Sequence, residues 1–226
     1  MKRSRLLTAL LSLVLVATLP NACARSSDKQ AEDAPGVSLA AVTSSAAEAT
    51  AEPVSKRTAS ITVQELERRL LRFVDAFKVP ADMSSTRLES TLGIKLRPPI
   101  DPAHPWYRLK DMPLVGGYTL YVTHFQTKKG FSRMQVSVRL PDGRDPTRKP
   151  TAVCIWDAAI LSKKLEDMSY KGGGKMSFQG GWIRQHWRSI NDGKQGFSVA
   201  LLLYQADTES GSRECALGVQ IDGGDA

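Results

Sequence analysis

Phe197-Ser198-Val199-Ala200-Leu201-Leu202-Leu203-Tyr204-Gln205 and Glu214-Cys215-Ala216-Leu217-Gly218-Val219-Gln220-Ile221 are the two stretches whose reading decides the fold. Phe197, Val199, Leu201 and Leu203 recur at every second position of the first, and Cys215, Leu217, Val219 and Ile221 do so in the second. A period of two sends alternate side chains to opposite sides of an extended chain, so each stretch reads as a strand with one face in the core. Met134, Val136, Val138 and Leu140 repeat the pattern within residues 131–140, which pair with 118–126 across the turn at Lys128-Lys129-Gly130. Residues 182–190 supply a fifth strand, and Asn191-Asp192-Gly193 turns the chain back toward Phe197.

Two helical patterns accompany these strands. Thr62-Val63-Gln64-Glu65 is a capping box, followed by Leu66, Leu70, Phe73, Val74 and Phe77 at helical spacing and ended by Pro80. Arg68, Arg69 and Arg72 fall on its outward face. The second pattern spans residues 152–170, with Cys154, Ala158, Leu161, Leu165 and Met168 on one stripe and Gly172-Gly173-Gly174 as its stop. Pro98-Pro99-Ile100-Asp101-Pro102-Ala103-His104-Pro105 suits neither helix nor central strand and reads as a surface connection. Gly116-Gly117 and Gly130-Phe131-Ser132 recur in order as Gly180-Gly181 and Gly196-Phe197-Ser198. The expectation is an α+β domain over residues 57–226. Two amphipathic helices would pack on one face of a largely antiparallel sheet of about five strands, as a degenerate helix–hairpin duplication.

The N-terminus carries an address. Lys2, Arg3 and Arg5 precede a run from Leu6 to Leu19 broken only by Thr8, Ser12 and Thr18. As a helix this run spans about 21 Å, short of the roughly 30 Å hydrocarbon core, so residues 1–22 read as an export signal rather than a permanent span. Residues 23–56 are rich in Ala, Ser, Thr and Glu and contain no aromatic, and read as a disordered tether.

The chain has 226 residues, three of them cysteines, and a formal charge of +8. Removing the signal and tether leaves residues 57–226 with 25 Lys and Arg against 18 Asp and Glu, and thus +7. An exported domain of this sign suits an acidic protein, envelope polymer or anionic headgroup, and not nucleic acid. Apart from Cys23, the cysteines are Cys154 and Cys215, an even pair in an oxidising setting. One lies on the helical stripe and one in the core set of its strand, so a disulfide is expected; two separate buried thiols are the alternative. The other side of the strands carries Arg133 and Arg139 on one, and Trp182, Arg184, His186 and Arg188 on another. Arginine and tryptophan are enriched at binding hot spots, which makes this face the candidate partner surface.

Catalytic signatures are missing. There is no Gly-x-Ser-x-Gly elbow, His-Glu-x-x-His, Walker A or Gly-x-Gly-x-x-Gly, and His104, His124 and His186 lack metal-ligand spacing. No cofactor, metal ion or catalytic residue is expected.

Leu19-Pro20-Asn21-Ala22-Cys23 resembles a bacterial lipobox, in which a small residue precedes a cysteine that is lipidated and becomes the mature N-terminus. The resemblance implies a lipid anchor at Cys23 and, with Ala24 following, sorting to the outer membrane. Ala22-Cys23-Ala24 as an ordinary signal-peptidase site, releasing a soluble protein from Arg25, is the other reading. Signal, anchor, tether and one disulfide-stapled domain together resemble periplasmic lipoproteins of the effector-immunity and inhibitor type. That resemblance implies a non-catalytic protein which binds and neutralises a toxic effector or a wall-degrading enzyme. A structural or assembly lipoprotein of a secretion or outer-membrane machine is the alternative, and an envelope hydrolase the third. Under the lipobox reading, Cys23→Ser moves the protein from the membrane fraction to the soluble fraction; a variant that still sediments with membranes overturns the anchor.

Overall fold

The computed structural model describes residues 61–101 and 103–225; the expected export signal (1–22), the expected anchor at Cys23 and the expected tether (23–56) lie outside the described residues. Within them the elements run α1 (Val63–Asp75), α2 (Ser85–Leu92), β1 (Tyr107–Pro113), β2 (Thr119–Gln126), β3 (Ser132–Arg139), β4 (Trp156–Asp157), α3 (Ala158–Asp167), β5 (Lys171–Phe178), β6 (Gly181–Ile190), β7 (Gln195–Thr208) and β8 (Gly211–Asp225). All eight strands join one antiparallel sheet in the order β1-β2-β3-β8-β7-β6-β5, with β4 pairing β8 beyond the end of β3. The expected α+β fold of about five strands and two helices is thereby corrected to a mostly β fold of eight strands and three helices. Each expected hairpin gains an outer strand, β1 or β5. Edge strands bury little, and β5 is exposed along all but its last residue, so neither shows the alternation that marks a half-buried strand. Gly172-Gly173-Gly174 belongs to β5 rather than to a loop.

One side of the sheet forms the core. Leu120, Val122, Met134, Val136, Val138, Val219, Ile221, Phe197, Val199, Leu201 and Leu203 face it together through the strand register, and all are buried. All three helices cover this side: Phe77, just beyond α1, packs its ring 5.0 Å from that of Phe197, and Leu88, Leu92, Leu161 and Leu165 fill the rest. Thr62 Oγ1 accepts the Glu65 amide at 3.1 Å, as expected of an N-cap. The Glu65 carboxylate does not complete the box. It accepts from Arg68 and Arg69 instead, and these hold its pKa down at about 2. α3 starts at Ala158 rather than residue 152 because Asp157 caps the Ile160 amide at 2.8 Å, while Cys154 stays in the preceding loop.

β6 contributes a polar row to the same side. Arg184, His186 and Arg188 stand opposite Leu201, Val199 and Phe197, so they face the helices and not the open side where the sequence reading set them. Arg188 donates to the carbonyls of Val74 (3.0 Å), Asp75 (3.3 Å) and Phe77 (2.6 Å) at the end of α1, and to Met168 (3.2 Å) at the end of α3. Its guanidinium lies 4.4 Å from the Tyr170 ring centroid, and the Tyr170 hydroxyl donates to Val74 O at 2.9 Å. The last carbonyls of a helix have no partner within it and carry its negative dipole end, so a buried cation there satisfies both needs.

Among the central strands β2, β3, β6, β7 and β8 the alternation breaks once, in β8. Leu202 pairs with Gly218 but Leu203 with Ala216, leaving Leu217 as a bulge residue. A Cβ on Gly218 would lie 2.4 Å from Val136 O, so the close approach of β3 requires glycine. Ala216 thus takes the core side, and Cys215 turns to the opposite side beside Tyr204. Cys154 and Cys215 form the disulfide, with Cα atoms 5.4 Å apart and a separation of 61 positions in sequence. It ties β8 to the loop before β4 rather than to a helix; a closure of this length stabilises by about 4 kcal/mol on the chain-entropy model.

Arg188→Ala removes this donor from the carbonyls of Asp75, Phe77 and Met168, while Val74 O keeps the Tyr170 hydroxyl, and costs about 3 kcal/mol, which lowers the melting temperature by roughly 6–12 °C. Arg139→Ala, at an exposed site, stays within about 0.5 kcal/mol of the parent. Equal melting temperatures for the two variants would remove Arg188 from its helix-capping role.

Candidate partner-binding face

The side of the sheet away from the helices is only partly covered. The loop of residues 140–155 crosses its β7–β8 end: Thr151 pairs with Ala206, and Cys154 is joined to Cys215. The Tyr204 hydroxyl donates to Val153 O and accepts from Ile155 N, at 2.9 and 2.8 Å. Burial pushes the Tyr204 pKa up to about 12, so it remains a donor at any physiological pH.

No helix covers the rest of this face, where the small side chains of Thr123, Ser137, Ser198 and Ala200 are buried between larger ones and the longer side chains reach solvent. Its middle is a polar row running Gln135, Gln220, Ala200, Gln185 across β3, β8, β7 and β6. Gln185 donates to Ser198 Oγ at 2.9 Å, and the Trp187 ring lies over Gly196, where a Cβ would come within 2.4 Å of it. Toward β1 the chemistry changes. Trp106 stacks on Phe125 with ring centroids 4.9 Å apart and planes at 27°. Arg133, opposite Phe125, donates to Asp222 at 2.7 Å. Arg139 reaches Asp111 at 3.1 Å and lies 5.7 Å from the Tyr121 centroid. Asp111 gets there through a bulge between Leu109 and Met112, where its φ is 56°. Arg97 and Arg108 form an isolated antiparallel bridge beside β1, and among the described residues neither they nor Lys110 has a carboxylate partner.

The six residues singled out from the sequence therefore divide. Arg133 and Arg139 are on the open face and exposed. Trp182 is exposed at the β6 end, on the other side, with Lys175 Nζ 4.9 Å from its ring. Arg184 donates to Ser162 Oγ at 3.3 Å and pairs with Glu214, which also takes Lys175 at 2.7 Å. His186 is fully buried. The physical reason for the misplacement is that β6 carries arginines and a histidine toward the core, so polarity does not tell its two sides apart. Trp106, Arg108, Phe125, Arg97 and Lys110 were not singled out. The alternation of Trp106, Arg108 and Lys110 against Tyr107 and Leu109 was their one signal, and the adjoining proline run obscured it.

The sulfurs of Cys154 and Cys215 are held in the disulfide, and among the described residues no three His, Cys, Asp or Glu side chains gather as metal ligands. No helix among the described residues is long and apolar enough to cross a membrane. The chain matches no protein-family model, no curated protein and no solved structure.

Two buried histidines give the domain a pH dependence. His124 Nε2 donates to Met83 O at 2.9 Å, and neither ring nitrogen of His186 has a partner. Burial lowers both pKa values below the ordinary 6.5, against the opposing pull of Glu89 on His124 and of Glu166 on His186; Arg184 adds to the lowering at His186. The unfolded chain takes up these protons as pH falls through 6.5 while the folded chain does not, so stability is full above that pH and declines below it. In urea titrations between about pH 6 and 5, His186→Phe flattens the decline by up to about 1.4 kcal/mol per pH unit. Parallel profiles for variant and parent would show that His186 is not held neutral.

Proposed function

We propose that this protein is a non-catalytic binding protein of the bacterial cell envelope, anchored through Cys23. It captures an acidic protein, a toxic effector or wall-degrading enzyme, on the helix-free face of its sheet. The observation that carries the reading is the composition of that face. Over β1, β2, β3 and the adjoining part of β8 no helix lies on it, and it joins an aromatic stack, Trp106 on Phe125, to the exposed cations Arg97, Arg108, Lys110, Arg133 and Arg139. Aromatic and arginine side chains dominate binding energy at protein interfaces, and an excess of one charge steers partners of the other. The +7 charge of residues 57–226 acts in the same direction.

A photo-crosslinking residue at Gln135, in the full-length protein in its host, forms an adduct with one acidic envelope protein, while the same residue at Arg72 on α1 does not. Arg133→Glu places two carboxylates side by side with Asp222 and lowers recovery of that adduct at least about tenfold. Adducts formed only from Arg72, or turnover of peptidoglycan by the purified protein, would overturn the reading.

A further inference from the structure

Between β1 and the segment at residues 97–106 lies a groove of about 500 Å³, lined by Arg97, Pro98, Ile100, Asp101, His104, Trp106, Arg108 and Lys110. Its size falls in the range of ligand-binding clefts. The backbone bridge sets Arg97 and Arg108 side by side, with Arg97 N to Arg108 O at 2.8 Å and the reciprocal bond at 3.0 Å. Lys110 is the third cation of the wall. The one carboxylate present is already committed: Asp101 accepts from the Ala103 amide at 2.8 Å and bonds His104 Nδ1 at 2.7 Å. Three cations thus stand in a concave site without counter-ions of their own.

The apolar lining is equally specific. Trp106 cannot turn away, because its other face is stacked on Phe125. Ile100 is fully exposed at the rim. A branched apolar side chain in water beside a fixed indole plane is a surface that another apolar group would cover.

We propose that this groove is a binding site for an acidic peptide segment, in which carboxylate side chains flank an aromatic or aliphatic one. The carboxylates engage the paired guanidiniums of Arg97 and Arg108, whose planar forks match them in bidentate fashion, and Lys110. The apolar side chain between them lies against Trp106 and under Ile100. The inference rests on the reading of the open face as a partner surface, and identifies which part of the partner that face takes.

The test uses the full-length protein and three probes: the peptide Gly-Glu-Phe-Glu-Gly, its counterpart with Lys in place of both Glu, and inorganic phosphate. The Trp106 indole N–H resonance, assigned through Trp106→Phe, reports occupancy. The acidic peptide binds saturably and moves this resonance; the Arg97→Gln/Arg108→Gln pair weakens it at least about tenfold, and Arg72→Gln, exposed on α1 away from this face, changes it less than about twofold. Lys110→Gln, which leaves the backbone bridge intact, weakens it in the same direction and guards against loss of the fold in the double variant. Absence of saturable binding, equal binding of the Lys peptide, phosphate matching the acidic peptide, or an equal loss with Arg72→Gln would each overturn the proposal. If Gln135 still crosslinks its partner when Arg97 and Arg108 are replaced, the groove is wrong and the face is right. If Gln135 crosslinks nothing while the peptide titrates normally, the reverse holds.

Discussion

Helix termination by arginines from elsewhere in the chain is the constraint on which the helix layer depends. α1, α2 and α3 have 13, 8 and 10 residues, too short to be stable outside a protein, and their C-terminal carbonyls must find donors where they meet the sheet. Arg188 supplies them for α1 and α3 from β6, and Arg69 of α1 supplies one for α2 by donating to Leu92 O at 2.8 Å. Because Arg188 serves two helices at once, the positions of α1 and α3 are coupled through a single guanidinium sandwiched against Tyr170. The rest of that row follows the same logic, with Arg184 bridging Ser162 of α3 and Glu214 of β8. A core side that would ordinarily be apolar is polar along β6 because the helix ends there need donors, and the histidine between the two arginines is enclosed with them.

The bulge at Leu217 is the second device, and it works on the opposite side. By shifting the alternation of β8 it brings Cys215 out of the helix-side core and aligns it with Tyr204. The disulfide and the tyrosine hydroxyl then hold consecutive points of one loop, at Cys154 and at Val153 and Ile155. This clamp keeps residues 140–155 over the β7–β8 end of the sheet, so the extent of the open face is fixed by it. Sheet edge, loop path and exposed surface are consequences of one extra residue in a strand.

β2, β3, β7 and β8 were legible in the sequence because apolar side chains alternate onto their core side, which writes a period of two, and β6 because Gly180-Gly181 and Asn191-Asp192-Gly193 bound it. The N-cap of α1 was legible for a similarly local reason. β1 and β5 were not, since edge strands have no such contrast; glycines in β5 and the mixed charges of Tyr107–Pro113 leave no pattern. The cysteine pairing was inferred from an even count, which holds, and from side-chain direction, which does not: Cys154 is in a loop and Cys215 is beyond the bulge. The assignment of Arg184, His186 and Arg188 to the open side failed for a different reason. Composition cannot separate an arginine that faces water from one that, like Arg188, donates to four helix-end carbonyls, and only cross-strand register decides it.

Register also explains why the open face is not uniform. Arg133 and Arg139 each carry their own carboxylate, Asp222 and Asp111, so any partner must share or displace an existing ion pair, and exposed pairs of this kind contribute little either way. Arg97, Arg108 and Lys110 have no such competitor. The attraction for an acidic surface is therefore concentrated at the β1 margin, beside the aromatic stack, while the glutamine row toward β6 offers hydrogen bonds without net charge. With Arg188, Arg184 and Arg69 consumed inside the fold, the domain's formal excess of basic residues overstates the field at most of its surface, and at this margin the field remains unopposed.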